Sequence, residues 1–163
     1  MSSAISPLAA ALGKIPSGLA IATSAGANDR TAFLASWYQQ VSFNPPLIAL
    51  SIKSGRPIES LIEESGLIGL NLLREADFTN LKKYGKGFEP GIDPWADDPS
   101  VLLSDYPTPL FANGYAWLLL KFIKKIDVGG DHQLFIGEVI EGQLQGSEGE
   151  KPYTHIRKDG LGY

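Results

Sequence analysis

Short apolar runs bounded by glycine, proline and polar residues recur along the whole chain, and this pattern predicts β-strands. The runs at 18–23 and 31–36 flank the turn-forming segment 24–30, so together they predict a hairpin. The prolines of 44–46 exclude a helix there, because they fix the backbone and donate no hydrogen bond. Further strands are predicted at 47–52, 67–73, 115–128 and 133–144, with a last one in the tail at 153–163.

Helical spacing is confined to short stretches of the chain. An amphipathic helix ending near Gly13 or Pro16 is predicted by apolar residues that recur every three or four positions: Ile5, Leu8, Leu12 and Ile15. A second helix is predicted at 56–64, where Pro57 suits the first turn and Gly66 ends the helix. A third short helix is predicted at 76–84.

The segment at about 85–114 carries five of the eleven prolines and predicts no regular element. A loop of this length in a compact domain usually serves function or an interface. Its aromatic side chains would be costly to expose, so we expect it to wrap a neighbouring subunit or to cover a ligand.

Six or seven strands and two or three short helices are therefore expected in 163 residues, the usual size of a single domain. Few strands alternate with full-length helices, which disfavours a doubly wound parallel sheet. A mainly β fold built on a closed or nearly closed antiparallel barrel fits the pattern best.

Composition narrows the chemistry. The chain has no cysteine, which excludes disulfides, thiolate metal sites and cysteine nucleophiles, and its two histidines predict no histidine-rich metal centre. A net charge of −4 without a basic block argues against nucleic acid and anionic membranes as partners. The N-terminus lacks the basic region of a secretory signal, so we expect a cytoplasmic protein.

Residues 34–46 (LASWYQQVSFNPP) are polar and aromatic where a plain strand and turn would have little reason to be. The hydroxyl and amide groups of Ser36, Gln40 and Ser42 alternate with flat aromatic rings such as Trp37. This mixture suits a planar heteroaromatic ligand, whose faces stack and whose edges form hydrogen bonds. The alternative interpretation is a strand end with aromatic packing, followed by an ordinary proline turn.

Three further segments offer binding groups. Residues 53–56 (KSGR) precede a predicted helix and would form a phosphate cradle, or else a basic surface loop. His132 follows the turn 129–131 and would face a ligand or solvent. The cations of 155–158 (HIRK) would contact an anionic cofactor or solvate the tail.

Taken in order, these segments resemble the flavin reductase-like, FMN-binding split-barrel family. The pieces that carry the resemblance are LASWYQQVSFNPPL at 34–47, SG…NLL at 65–73, GDH…FIGEV at 130–139 and the tail HIRKDGLGY. The sequences of these segments are most similar to the C-terminal flavin reductase module of cyanobacterial-type flavodiiron proteins. We expect a stand-alone module, because the chain has too few residues and histidines for the diiron and flavodoxin-like modules.

The resemblance implies a six-stranded antiparallel split barrel of Greek-key type, assembled as a homodimer with FMN, or alternatively FAD, near the subunit interface. It places the flavin ring and ribityl chain beside Leu34, Ala35, Ser36, Trp37, Gln40 and Ser42, above Asn71. It assigns the phosphate to Lys53, Ser54 and Arg56, and the closing of the pocket to Arg157 and Tyr163. His132 would face the side where nicotinamide docks.

The implied activity is that of an NAD(P)H:flavin oxidoreductase, which passes a hydride from reduced nicotinamide to flavin N5 and onward to free flavin, a redox protein or an oxygenase component. Hydride transfer needs no protein acid or base, so no catalytic residue is assigned. Trp37 and Tyr38 stand where many family members carry small or hydroxylated residues, and they would narrow the nicotinamide site. The alternatives are therefore an FMN-binding electron carrier reduced by a partner protein, and a barrel that holds another planar ligand or none.

Overall fold

The computed structural model describes residues 4–162, within which seven strands form one antiparallel sheet. In chain order the elements are α1 (Pro7–Leu12), β1 (Ser17–Gly18), β2 (Ala20–Ala25), β3 (Arg30–Ala35), β4 (Tyr38–Phe43), β5 (Pro46–Lys53), α2 (Ile58–Ser65), β6 (Leu67–Leu72), α3 (Phe78–Tyr84), a 3₁₀ turn (Pro99–Val101), β7 (Ala116–Asp127), β8 (His132–Leu144) and β9 (Thr154–His155). The strand order in the sheet is β3-β2-β6-β7-β8-β5-β4. The predicted mainly β architecture is confirmed, and the sheet has seven strands rather than the six that the resemblance implies, because 38–43 also pairs into it.

The sheet must curl, because its two edge strands follow each other in the chain. Only Ser36 and Trp37 separate the end of β3 from the start of β4. A link that short spans at most about 11 Å between the flanking Cα atoms, so the end of β3 lies close to the start of β4. The result is a barrel that is split where β3 meets β4, with the Ser36–Trp37 link lying at the split.

The interior of the barrel is filled by one face of each strand and closed by α2. Ala20 and Ala22 of β2 are small enough to admit the helix, whose apolar face presents Ile58 and Ile62 to the core. Burying each of these isoleucines contributes roughly 1.5–3 kcal/mol. The predicted helix is confirmed over Ile58–Ser65, and it ends at Gly66, whose φ of 71° is one that glycine adopts without strain. The remaining core side chains are Phe33, Ala35, Ile48, Leu50, Ile52, Ile68, Leu70, Leu120 and Phe135.

The proline-rich segment, here called the arm (residues 85–114), folds back on its own chain. Trp95 is fully buried, and its indole N–H donates to the Tyr84 hydroxyl at 2.9 Å. Phe111 packs into the same cluster, against the outer side of β2 and β3. These aromatic side chains are therefore covered within one subunit, which corrects the expectation that they need a neighbour or a ligand to cover them.

The two ends of the chain differ from expectation. The first helix is confined to Pro7–Leu12, and Leu8 and Ile15 of its predicted core face are exposed. Small residues make the contact instead, because Ala9 and Gly13 accept backbone hydrogen bonds from Gly160 and Arg157. A predicted tail strand exists only as Thr154–His155, which pairs with Ser17–Gly18. None of the helices in residues 4–162 has the length and apolar character that a membrane span requires.

Tyr38 and Tyr84 predict that the fold loses stability at alkaline pH. Burial raises the pKa of Tyr38 and of Tyr84 to about 12. An unfolded tyrosine ionises near pH 10, so the unfolded state loses these protons first and stability falls between pH 10 and 12. Urea unfolding across this range should show that decline, and Tyr38→Phe should make it less steep. An equal slope in the variant would contradict the burial of Tyr38.

Candidate functional site

A cavity of about 450 Å³ opens beside the link that joins β3 to β4. This groove lies on the outer face of the barrel, since Ala49 and Ser51 of β5 alternate with the core residues Leu50 and Ile52. Its lining residues are Ile15, Pro16, Ser17, Gly18, Ser36, Trp37, Tyr38, Gln39, Ala49, Ser51, Leu134 and Thr154. Hydroxyl and amide groups therefore stand beside aromatic and aliphatic walls, which is the usual lining of a site for a small organic molecule.

A second, much smaller cavity of about 10 Å³ adjoins the groove and carries the positive charge. We call it the cationic pocket, and its lining residues are Phe33, Leu34, Ser36, Trp37, Ser51, Lys53, Arg56 and His132. The structure thus brings together six residues that the sequence resemblance proposed: Leu34, Ser36, Trp37, Lys53, Arg56 and His132. Ser36, Trp37 and Ser51 line both cavities, so these residues form the wall between them.

The cations of this pocket are positioned by strand pairing and by packing. Lys53 ends β5 directly opposite His132, the first residue of β8. Arg56 precedes α2, and its guanidinium carbon lies 4.8 Å from the centroid of the Phe33 ring. The arm covers Arg56 from outside, because a Cβ built on Gly87 would lie 3.0 Å from the arginine Nη1. Glycine suits both this close approach and the positive φ of 73° at position 87, because it has no Cβ.

Trp37 is held between two groups that the sequence analysis treated separately. Its ring centroid lies 4.9 Å from that of His132 on one side, and the Arg157 guanidinium carbon lies 5.1 Å from the indole. His132 is fixed in turn by the contact of its Nδ1 with Asp131 Oδ1 at 2.7 Å, and this hydrogen bond lowers the pKa of Asp131. The indole is still 37% exposed, so it forms a wall of the site rather than part of the core.

The start of α2 departs from the predicted phosphate cradle. The backbone N–H of Gly55 donates to Glu59 Oε1 at 2.6 Å, so a carboxylate already occupies this donor. The backbone N–H of Ser54 donates to the Asp131 carbonyl, and the Ser54 side chain lines neither cavity. Lys53 and Arg56 are therefore the groups of the predicted cradle that face the pocket.

Strand alternation explains why some proposed residues lie elsewhere. Gln39 lines the groove beside Ala49, whereas Gln40, one residue further on, lies on the other face and donates to the Ser42 carbonyl. Ser42 lies beyond both cavities. The Ala35 side chain is buried in the barrel core, so only its backbone is available near the split. Tyr163 falls outside the described residues.

Asn71 is placed away from the groove, contrary to the prediction that it lies beneath the flavin. It pairs with Ile21 in the sheet and shares the arm side of β6, while its neighbour Leu70 faces the barrel core. Its Nδ2 donates to the Ile21 carbonyl at 3.1 Å, and its Oδ1 accepts from the Phe111 N–H at 2.7 Å. The Asn71 side chain therefore fastens the arm to the barrel.

Several groove residues were missed by sequence reasoning. Ser51 sits in an apolar strand, and its alternation with Leu50 and Ile52 is the signal that could have placed it on the outer face. Ser17 and Thr154 reach the groove through the short pairing of β1 with β9, a contact between the chain ends that has no local signature. Tyr38, which the sequence analysis named beside the nicotinamide site, also lines the groove and reaches toward Gly18, where a Cβ would lie 2.3 Å from the tyrosine oxygen.

The profile of the flavin reductase-like domain matches residues 12–160 of the chain. The chain belongs to the flavin reductase-like family. A diflavin flavoprotein A 1 of Synechocystis is 33% identical over 97% of this chain, and a diflavin flavoprotein A 6 of Nostoc, named as putative, is 30% identical over 94%. The chain spans only 27% and 26% of those two relatives.

Solved structures of other proteins share this fold. The NADH:FAD oxidoreductase SgcE6 of Streptomyces globisporus aligns with a TM-score of 0.78 over 90% of this chain and 85% of its own, at 21% identity. The styrene monooxygenase flavin reductase of Pseudomonas putida aligns with a TM-score of 0.73 over 90% and 91% of the two chains, also at 21% identity. The split-barrel fold expected from the sequence is thereby confirmed.

Proposed function

We propose that this chain is an FMN-binding NAD(P)H:flavin oxidoreductase. The observation that carries the proposal is the two-residue link Ser36–Trp37, which joins a polar and aromatic groove to a pocket lined by Lys53 and Arg56. Membership of the flavin reductase-like family supports the same activity.

The residues present fit a phosphorylated flavin. The groove volume of about 450 Å³ lies within the roughly 300–1,000 Å³ typical of small-molecule sites. Its hydroxyl and amide groups match the edges of a planar heteroaromatic ring, and the adjacent cations match a phosphate. One relative in the family is described in complex with NAD and FAD fragments, so FAD is the alternative flavin.

A flavin bound here would supply the hydride acceptor, and the chain would supply position and electrostatics. Lys53 and Arg56 would hold the phosphate, while Trp37 would offer a flat apolar face. Tyr38 would offer a neutral hydroxyl, and burial, which raises its pKa to about 12, keeps that hydroxyl protonated well into the alkaline range. His132, fixed by Asp131, would position the nicotinamide at the rim of the cationic pocket.

We further propose a cytoplasmic homodimer. Large apolar side chains remain exposed on the outer face of one subunit, led by Phe43 at the tip of the β4–β5 hairpin, which is 92% exposed. Val41 and Ile140 are also more than half exposed, and a second subunit would cover such surfaces. Electrons would pass onward to free flavin or to a partner such as an oxygenase component, and one structural relative is the flavin reductase of a two-component tryptophan halogenase.

Trp37 favours a second candidate, an FMN-binding electron carrier. Its indole separates the groove from the cationic pocket and lies against His132, the residue proposed to position nicotinamide. A wall held in that place would admit a flavin yet exclude a second ring. Electrons would then arrive from a partner protein.

Flavin binding and turnover test the proposal together. Titration with FMN should perturb the flavin absorbance with a saturable dissociation constant, and NADH or NADPH should then be oxidised with added FMN as acceptor. Saturable binding without oxidation of either nicotinamide would establish the carrier instead. A chain that leaves the flavin spectrum unchanged would contradict both functions.

Replacing Trp37 by alanine should raise the rate of flavin reduction by nicotinamide about fivefold, because it removes the wall beside His132. Trp37→Phe keeps a flat ring at this position and serves as the matched control. The measurement is stopped-flow absorbance at saturating FMN, so that a loss of flavin affinity does not mask the effect. Equal rates in wild type and Trp37→Ala would show that the indole does not limit access.

A further inference from the structure

Glu59 places a negative charge on the loop that supplies Lys53 and Arg56 to the cationic pocket. Its Oε1 accepts the hydrogen bond of the Gly55 N–H at 2.6 Å, and Gly55 lies between Lys53 and Arg56, which line the pocket. The amide that an anionic ligand would meet at the start of α2 is therefore bonded to a carboxylate of the same chain.

This carboxylate is held in place and only partly neutralised. Its second oxygen lies 3.8 Å from Lys125 Nζ, and the Glu59 side chain is only 14% exposed. Lys125 is closer to Glu63, at 2.6 Å, and Glu63 is 49% exposed to solvent. One ammonium group is thus shared by two carboxylates. The negative charge of Glu59 beside the Gly55 N–H is therefore only partly compensated.

We infer that Glu59 sets the affinity of this site for the phosphate of its flavin, an inference that rests on the proposed function. A phosphate monoester carries a charge of about −1.5 to −2 at pH 7. To bind at Lys53 and Arg56 it must either displace the carboxylate from Gly55 or lie beside it. In both cases Glu59 opposes the phosphate and leaves the uncharged part of the flavin unaffected.

The consequence is a flavin that exchanges. Two cations without a competing carboxylate would hold FMN as a resident cofactor, whereas Glu59 offsets part of their attraction. A flavin that leaves readily suits a protein that delivers reduced flavin to an acceptor. Glu59 is thereby a specificity-determining residue that narrows the preference for FMN over riboflavin.

The test compares FMN with riboflavin in three forms of the chain. Glu59→Gln removes the charge but retains an oxygen that can accept from Gly55, and it should tighten FMN binding about tenfold with riboflavin unchanged. Glu63→Gln is the matched control, because it removes an equal charge from the same Lys125 without touching Gly55. Dissociation constants come from flavin fluorescence titration, and urea midpoints show that all three forms are folded.

The outcomes separate this inference from the proposed function. An unchanged ratio of FMN to riboflavin affinity in Glu59→Gln would overturn the inference while leaving flavin binding intact. An equal gain in Glu63→Gln would also overturn it, since the effect would then be one of net charge. If the wild-type chain bound neither FMN nor riboflavin, the proposed function and this inference would fail together.

Discussion

Replacing Lys53 and Arg56 together by alanine is expected to weaken FMN binding about 100-fold and to change riboflavin binding by less than about twofold. Both residues line the cationic pocket, and Arg56 is fixed over Phe33 and covered by the arm. A charge held in a partly covered position loses less to solvent than one on a free surface. The phosphate is the part of FMN that riboflavin lacks, so the effect should be confined to FMN.

The matched control replaces Lys82 and Lys83 on α3, which lowers the net charge by the same amount and lies outside both cavities. Fluorescence titrations at constant ionic strength measure both pairs of variants. Equal weakening of FMN and riboflavin would mean that Lys53 and Arg56 support the fold of the site rather than the phosphate. If replacing Lys82 and Lys83 weakened FMN binding equally, the effect would be one of net charge rather than of the cationic pocket.

Replacing Asn71 by alanine is expected to lower the free energy of unfolding by about 2–4 kcal/mol. The change leaves the buried N–H of Phe111 and the carbonyl of Ile21 without their side-chain partner, and each unsatisfied group costs about 1–3 kcal/mol. It also loosens the arm, because Phe111 packs beside the buried Trp95.

Urea unfolding measures this loss, with Asn113→Ala as the control because Asn113 is exposed. At temperatures where the Asn71 variant is folded, its affinity for FMN should match that of the wild type. A large loss of FMN affinity with unchanged stability would restore Asn71 to the flavin site and contradict its structural role.

Local patterns predicted the elements that bury one continuous apolar face. The hairpin of β2 and β3, the helix α2 between Pro57 and Gly66, and the long pair β7 and β8 all appear close to their predicted bounds. Strand β4 was not assigned, because it lies at the edge of the sheet, is largely exposed and has no apolar alternation that would predict a buried face. The apolar spacing of the first helix was misleading, since its contact with the chain runs through Ala9 and Gly13.

The candidate site was predicted where its residues adjoin in sequence and missed where closure of the barrel assembles it. Ser36 and Trp37 are consecutive residues at the split of the barrel, so a sequence motif was enough to locate them. The resemblance named Gln40, but it is Gln39 that lines the groove. A one-residue step on a strand reverses the face, and residue type alone does not reveal the register. The Gly55 N–H donates to the side chain of Glu59, four residues further along the chain. The predicted phosphate cradle did not include this carboxylate.

The contacts of Trp37 with His132 and Arg157 are a tertiary feature for the same reason. Each residue was singled out alone, but their contacts arise only when β8 and the tail meet at the split. The arrangement makes Trp37 the residue on which the choice between reductase and carrier depends.

Anaerobic titration of the FMN-saturated chain with NADH and then with NADPH tests the central claim most directly. We predict prompt bleaching of the flavin absorbance band by at least one of the two nicotinamides, with the better donor defining the coenzyme preference. A flavin spectrum that is perturbed by binding yet stable to both nicotinamides would contradict the reductase, and would identify the chain as a carrier that receives its electrons from another protein.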